Sequence, residues 1–428
     1  MRHINRHLSV FLGLQVLVFS AYHRLLSLDI WNPVDLEILQ DAFKLSHDTS
    51  ALYQHIGSLF SQPLLQLFFV GEYRMFGLDP TGYLTVNIIL HGLNAFMVYL
   101  LVNMLFHRTR MALPSAVLFA LSVGHYGKVL LSISGQEPLL LGFLYLLGLF
   151  SLIRADFKHG GRLSSPWFLF GLLLFGLAGL TRPALFSILL CLVSYKFFFY
   201  KERGGRAVFP PSMILLIIVG VLFAIFQQLW GFRHQLIQFS PNETLFTSVW
   251  QITKTLFRYL NLMVFPLQVS TMLTSSNPLV QFAYEWRVPI RSAVSLAIVS
   301  FCFFGIVFGN RSLRFFIAWT FITVLPFSLT HGTNDWLNLQ YLYLAAVGFC
   351  VILAAGATGC QGLLSAHRYK RWLPWVGPML FVVMTLSLNH QLTSKSQVTA
   401  DQPDIRTMHS LLVYQVEHGP LSQQNPPE

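Results

Sequence analysis

Eleven apolar stretches, each near 20 residues long and closed by a short polar break, run through this chain. They cover residues 8–26, 80–106, 112–131, 138–153, 166–181, 183–200, 212–230, 290–309, 315–331, 339–361 and 372–388. At 1.5 Å of rise per residue, such a stretch matches the roughly 30 Å thickness of a bilayer's hydrocarbon core. Lipid offers no partner for a backbone N–H or C=O, so a spanning segment must satisfy its own hydrogen bonds. Long continuous apolar runs then mean helices, because barrel strands alternate apolar and polar residues. The expected fold class is all-α, a polytopic transmembrane helical bundle of about 11 spans. Only 11% of the residues are charged, against about 25% in soluble domains. A length of 428 residues has room for two or three soluble domains. The substantial polar segments, however, are 27–61, 231–289 and the C-terminal end. The chain therefore divides into a membrane domain, 1–388, and a polar tail, 389–428. Within the membrane domain, 27–79 forms a first outer loop and 231–289 an outer region.

Charge sets the orientation. One further apolar segment, Thr255 to Leu273, contains Arg258 and Pro266 and reads as a twelfth span, a re-entrant helix or an interfacial one. With the N-terminus in the cytoplasm and this segment not crossing fully, sixteen of the 28 Lys and Arg fall on the inside. Fifteen of the 17 Asp and Glu then fall outside, with only Asp156 and Glu202 inside. If the segment crossed, Arg311, Arg314 and the Arg368–Arg371 group would move outside, against the positive-inside rule. This distribution accounts for the net charge of +11 without nucleic acid. The first apolar run follows Arg2 and Arg6 with no small-residue cleavage site after it, and reads as a signal anchor. Cys191, Cys302, Cys350 and Cys360 all lie in apolar stretches and read as small core residues. There is no Gly-rich phosphate cradle, which argues against an ATP-driven pump. Nor do the halves repeat, as transporter halves usually do.

Chemistry is expected first in the loop after the first span. Asp35 and Glu37 follow Trp31-Asn32-Pro33 and open a helical run. A carboxylate at a membrane–water boundary can take the proton of an acceptor hydroxyl; it can equally cap a helix and solubilise a loop. Arg182 sits in Leu180-Thr181-Arg182-Pro183, a break between two spans, where a guanidinium suits a lipid phosphate or simply snorkels to headgroups. Lys128 and Arg258 carry the same two readings. His91 and Asn94 in the second span, and Gln227 and Gln228 in a later one, are expected to hydrogen-bond between helices. The histidines show no metal-ligand spacing, and no metal or cofactor is expected. Trp31, Trp250, Trp286, Trp336 and Trp375 fall near span ends, as an interfacial aromatic belt does.

Four segments carry a family resemblance by their order rather than by any one motif. The first holds Ser61-Gln62-Pro63-Leu64, the turn Gly77-Leu78-Asp79-Pro80, and Asn87, His91 and Asn94. The second is residues 118–141, LFALSVGHYGKVLLSISGQEPLLL; the third is residues 257–269, FRYLNLMVFPLQV; the fourth is residues 325–349, LPFSLTHGTNDWLNLQYLYLAAVGF. In this order they resemble GT-C-type membrane glycosyltransferases related to protein O-mannosyltransferases, and most of all the membrane part of the tetratricopeptide-containing transmembrane O-mannosyltransferases.

The resemblance implies transfer of a sugar from a polyprenyl-phosphate donor to a glycan, lipid or protein acceptor on the outer side. By position it implies Asp35 as base, with Glu37 or Asp29 as alternates, and Arg182 as the cation for the donor phosphate, to which the residue reading adds Lys128 and Arg258. Gln62, Gln136 and Gln340 stand where that family has Arg, and no tetratricopeptide repeats follow Leu388. Those exchanges motivate an alternative: a non-catalytic relative that binds a lipid-linked glycan or a membrane partner. The expected location is a bacterial inner membrane.

Overall fold

The computed structural model describes residues 2–29, 32–47, 63–107, 109–122, 126, 129–160, 162–179, 185–199, 211–229, 245–264, 281, 285–330, 339–363, 372–400 and 403–418. Among these the regular structure is helical, with no strand. The elements are α1 (Arg2–Tyr22), α2 (Pro33–His47), α3 (Pro63–Phe76), α4 (Pro80–Phe106), α5 (Thr109–Ser122), α6 (Gln136–His159), α7 (Pro166–Gly179) and α8 (Leu185–Phe199). They continue with α9 (Pro211–Leu229), α10 (Leu245–Val264), α11 (Arg287–Phe308), α12 (Arg311–Thr330), α13 (Leu342–Leu363), α14 (Val376–Ala400) and α15 (Pro403–His418). Short 3-10 turns precede α6 (Ile133–Gly135) and α13 (Leu339–Tyr341).

Among the described residues four helical stretches are long and apolar enough to cross a membrane: Asn5–Ser27, Pro80–Phe106, Ile133–Lys158 and Leu339–Gln361. They match four of the eleven expected spans. Five more apolar helices are shorter, among them Pro166–Gly179 with 14 residues. Fourteen residues rise about 21 Å, short of a hydrocarbon core of about 30 Å, so helix length does not establish eleven complete crossings.

The long apolar helix α4 is the hub. It packs on α1, α3, α5 and α6, and its N-terminus is set by a turn that its own sequence specifies. Gly77 takes φ +59°, a left-handed conformation easy only for glycine. Asp79 then caps the helix by accepting the Thr81 N–H at 3.0 Å, with Pro80 at the first helical position. Asn87, His91 and Asn94 recur on one face of α4 at intervals of four and three residues, and all three are buried.

These side chains tie α4 to three neighbours, as the sequence led one to expect. Asn94 Nδ2 donates to the Leu139 carbonyl of α6 at 2.9 Å and to the Tyr343 hydroxyl of α13 at 3.1 Å. His91 Nε2 lies 3.0 Å from the Ala120 carbonyl of α5, and Nδ1 lies 2.8 Å from the same Tyr343 hydroxyl. A carbonyl only accepts, so Nε2 carries the proton. A neutral imidazole then accepts the Tyr343 O–H at Nδ1.

α13 closes on α12 where Gly348 meets Thr320 and the Phe316 carbonyl with no room for a Cβ, and Trp319 Nε1 donates to the Leu344 carbonyl at 2.9 Å. α10 is amphipathic and packs on α11 and α12 with Tyr259, Leu260 and Met263 buried. It covers the first part of the Thr255–Leu273 segment; residues 265–273 lie outside the described residues. α14 runs through residue 388, the expected edge of the membrane domain, and α15 folds back from the tail onto α2.

Replacing Asn94 by Ala and Tyr343 by Phe, singly and together, is expected to give a coupling of about 0.6 kcal/mol and no more than about 1.7. Unfolding of the four proteins in the same detergent measures it. Tyr343→Phe alone is expected to be the worse single change beside Asn94→Ala, because it also leaves His91 Nδ1 without its donor.

Candidate functional site

The site is built from the start of α2 inward. Asn32 precedes Pro33, and its side chain accepts the Asp35 N–H at 2.8 Å, an N-cap made by the residue type that caps best. Asp35 thereby sits in the first turn of α2, buried with 1% of its surface exposed. From there its carboxylate crosses to another part of the chain. Oδ1 accepts the Ser134 N–H at 2.9 Å, and Oδ2 accepts the Ile133 N–H at 3.1 Å and the Asn32 side-chain amide at 2.6 Å. Burial pushes the Asp35 carboxyl above the usual carboxylate range, while the N–H groups of Ser134 and Ile133, the Ser134 hydroxyl and Asn32 pull it back.

The 3-10 turn that Asp35 grips leads directly into α6. Asn87 Nδ2 of α4 donates to the Ser132 carbonyl just before it, at 2.9 Å. Gly135 lies flat on the Val129 carbonyl, where a Cβ has no space. Gln136, the next residue, donates from Nε2 to Glu72 Oε1 of α3 at 3.0 Å and to the Tyr83 carbonyl of α4 at 3.4 Å. The turn is thus held from α2, α3 and α4 at once.

Between α2, α3 and this turn lies an open cleft of about 390 Å³. From α2 it receives Val34, Ile38 and Asp41, which share one helix face. From α3 it receives Gln66 and Phe69. Ser134 and Glu137 border it at the α6 end, and Gln340 borders it from the turn before α13. Glu137 is 8% exposed and lies in the first turn of α6, where the helix dipole favours an anion. Asp41 is exposed and 3.8 Å from Lys44. The cleft offers carboxylates, amides, a hydroxyl and one aromatic face, and no Lys or Arg is among its described lining residues.

The residues singled out in the sequence fall in different places. Asp35 does not line the cleft; it lies behind it with both oxygens engaged. Glu37 is exposed and is not a lining residue. Asp29 is exposed ahead of α2, and Arg258 is exposed on α10. Arg182 and Lys128 lie outside the described residues, as does Gln62. Sequence reasoning passed over Glu137 and Glu72. Each carried a signal: Glu137 stands beside Pro138 at the head of an apolar run, and Glu72 is a lone acid in the apolar stretch LLQLFFVGEY. An unpaired acid among apolar residues is costly enough to need a reason.

The four segments that carry the family resemblance meet at this end of the bundle. Asn87, His91 and Asn94 belong to the first; Ser132 to Glu137 belong to the second. Tyr126, also of the second, donates its hydroxyl to the Met263 carbonyl of the third at 2.8 Å. Tyr343 and Gln340 belong to the fourth. No protein-family model and no curated protein sequence matches the chain. Among solved structures it is similar to the crystal structure of the apo oligosaccharyltransferase of Archaeoglobus fulgidus, with 12% identity and a TM-score of 0.49. The likeness covers 99% of this chain and 61% of that one, so this chain spans less than two thirds of that protein's length. A likeness at this level establishes neither family nor activity.

Asp35→Asn places an amide N–H₂ where a backbone N–H now finds an acceptor, and is expected to lower stability by about 1–3 kcal/mol. Asp35→Ala, which removes both oxygens, is expected to lower it further, and Glu37→Gln to stay within about 0.5 kcal/mol of the parent. Detergent unfolding curves of the three variants beside the parent check this order.

Proposed function

We propose that the protein is a membrane glycosyltransferase that passes a sugar from a polyprenyl-phosphate donor to a hydroxyl of an acceptor in the α2–α3–α6 cleft. The observation that carries this reading is the convergence of the four family-like segments, hydrogen-bonded to one another, behind an open cleft with carboxylates in its wall. Carboxylates and amides are the groups that bind sugar hydroxyls, and Phe69 adds an apolar surface for a ring.

In the proposed reaction Glu137 takes the proton of the acceptor hydroxyl. The freed oxygen attacks the anomeric carbon, the bond from that carbon to the phosphate oxygen breaks, and its electron pair leaves on the polyprenyl phosphate. Asp35 has a positioning role: by holding the N–H groups of Ile133 and Ser134 it fixes the turn from which Glu137 projects. Arg182, Lys128 and Arg258 remain the proposed cations for the donor phosphate.

A second reading is favoured by the departures from the family. Gln340 lines the cleft and Gln136 lies just behind it, so two of the three Arg-to-Gln exchanges remove permanent charge at this site. A cleft without those cations suits a protein that holds the glycan of a lipid-linked sugar and does not transfer it.

Transfer from radiolabelled polyprenyl-phosphate sugars, measured with purified protein, distinguishes the two. Glu137→Gln is expected to lower the transfer rate by about 10²- to 10⁴-fold, the range for loss of a general base, while leaving donor binding in place. Donor or glycan binding without turnover in the parent protein supports the second reading. Neither binding nor transfer with any donor overturns both.

A further inference from the structure

Glu72 is buried in the packing of α3 against α4 and α6, with 5% of its surface exposed. Its Oε1 accepts from Gln136 Nε2 at 3.0 Å. Its other oxygen, Oε2, and the remaining oxygen of the same partner, Gln136 Oε1, are both buried without a hydrogen-bond partner. Two buried acceptors on two side chains that already share one hydrogen bond lack the same thing, a donor. A single proton on Glu72 supplies it: Oε2–H donates to Gln136 Oε1 while Gln136 Nε2 donates to Glu72 Oε1. This is the ring that a carboxylic acid forms with a primary amide, and it satisfies both groups.

We propose that Glu72 is a neutral carboxylic acid whose proton closes a two-bond ring with the Gln136 amide. That ring is a pH-sensitive clasp joining two walls of the cleft, α3 and the head of α6.

The surroundings fit a neutral acid. The Tyr83 phenol of α4 interacts with Glu72, the Tyr83 carbonyl accepts from Gln136 Nε2, and Tyr73 is the next residue on α3. Arg74 is exposed and directs its guanidinium to the Ser46 carbonyl at 3.5 Å. On α2, Asp35 is tied to the turn, Glu37 is exposed, and Asp41 and Lys44 pair at the surface. Glu137, beside Gln136 on α6, lines the cleft and, being an acid, offers Glu72 no counter-charge. Burial raises the Glu72 carboxyl from 4.5 to about 8, against the smaller pull of the Gln136 hydrogen bond. An acid raised on folding adds stability that is complete below its unfolded value and is lost as pH climbs through its folded value. In the folded protein the clasp is therefore closed until pH approaches about 8 and open above it, while the stability it contributes is complete below pH 4.5 and is lost between there and about pH 8.

Glu72→Gln replaces the acid by a neutral amide of the same shape that can form the same ring without titrating. The thermal midpoint of the parent, relative to Glu72→Gln, is expected to fall by a few degrees between pH 5 and pH 9. A constant difference between the two proteins across that range overturns the proposal. So does failure of Glu72→Gln to fold, because a neutral pair accepts the amide. Infrared difference spectra of parent minus Glu72→Gln at pH 7 give a separate reading. The carbonyl stretch of a protonated carboxyl is expected, and carboxylate bands in its place overturn the proposal.

Discussion

The grip of the Asp35 carboxylate on two backbone N–H groups is the contact from which the rest of this end of the molecule takes its shape. A turn entering a helix leaves N–H groups that nothing in the helix can satisfy. Here those of Ile133 and Ser134 meet the two oxygens of a side chain nearly 100 residues earlier in the chain. One acid thereby fixes three things: the depth at which α2 lies, the path of the turn before α6, and the direction in which Glu137 leaves it. The same residue donates its N–H to the Asn32 cap of its own helix and accepts from that cap's amide, so the local and the long-range preferences of Asp35 agree, which is the consistency that makes a single arrangement favourable.

Around this contact the bundle uses polar groups sparingly and in the same manner. Apolar side chains gain little by leaving lipid for a protein interior, so packing and hydrogen bonds specify which helices touch. α4 supplies three polar side chains on one face, and each reaches a backbone carbonyl or the Tyr343 hydroxyl of a different neighbour. At the opposite end of α6, Asp156 pairs with Lys196 of α8 at 2.5 Å, with both side chains largely buried. The neighbouring Arg154 lies 4.6 Å from the centre of the Trp167 ring of α7, a cation–π distance. The helix that faces the cleft is thus positioned at both ends by charge and along its length by amides.

The proposed chemistry depends on a division of labour among the acids. Asp35 is used up in hydrogen bonds, Glu72 is enclosed with an amide, and Glu137 stands at the cleft wall in the field of a helix N-terminus. Three carboxyl groups within one corner of the fold have three environments, and environment decides which can hold a proton and which can accept one. The tail helix α15, seated on α2, bounds the same corner from outside.

Helical class, the long apolar helices and the interhelical role of His91 and Asn94 were legible in the sequence, because lipid imposes its demands on each segment separately and leaves them in composition and spacing. The Gly77–Pro80 turn was legible for a related reason: left-handed backbone and helix capping are local needs met by particular residue types. Which acid faces the cleft was not, since α2 presents Asp35 and Asp41 to different surroundings and the sequence carries no record of what packs on either side. The partnership of Glu72 with Gln136, 64 positions apart, and of Asp35 with the turn before α6, exists only once α2, α3 and α6 are assembled. Burial and hydrogen-bond pairing are properties of that assembly, and only the tertiary structure could decide them.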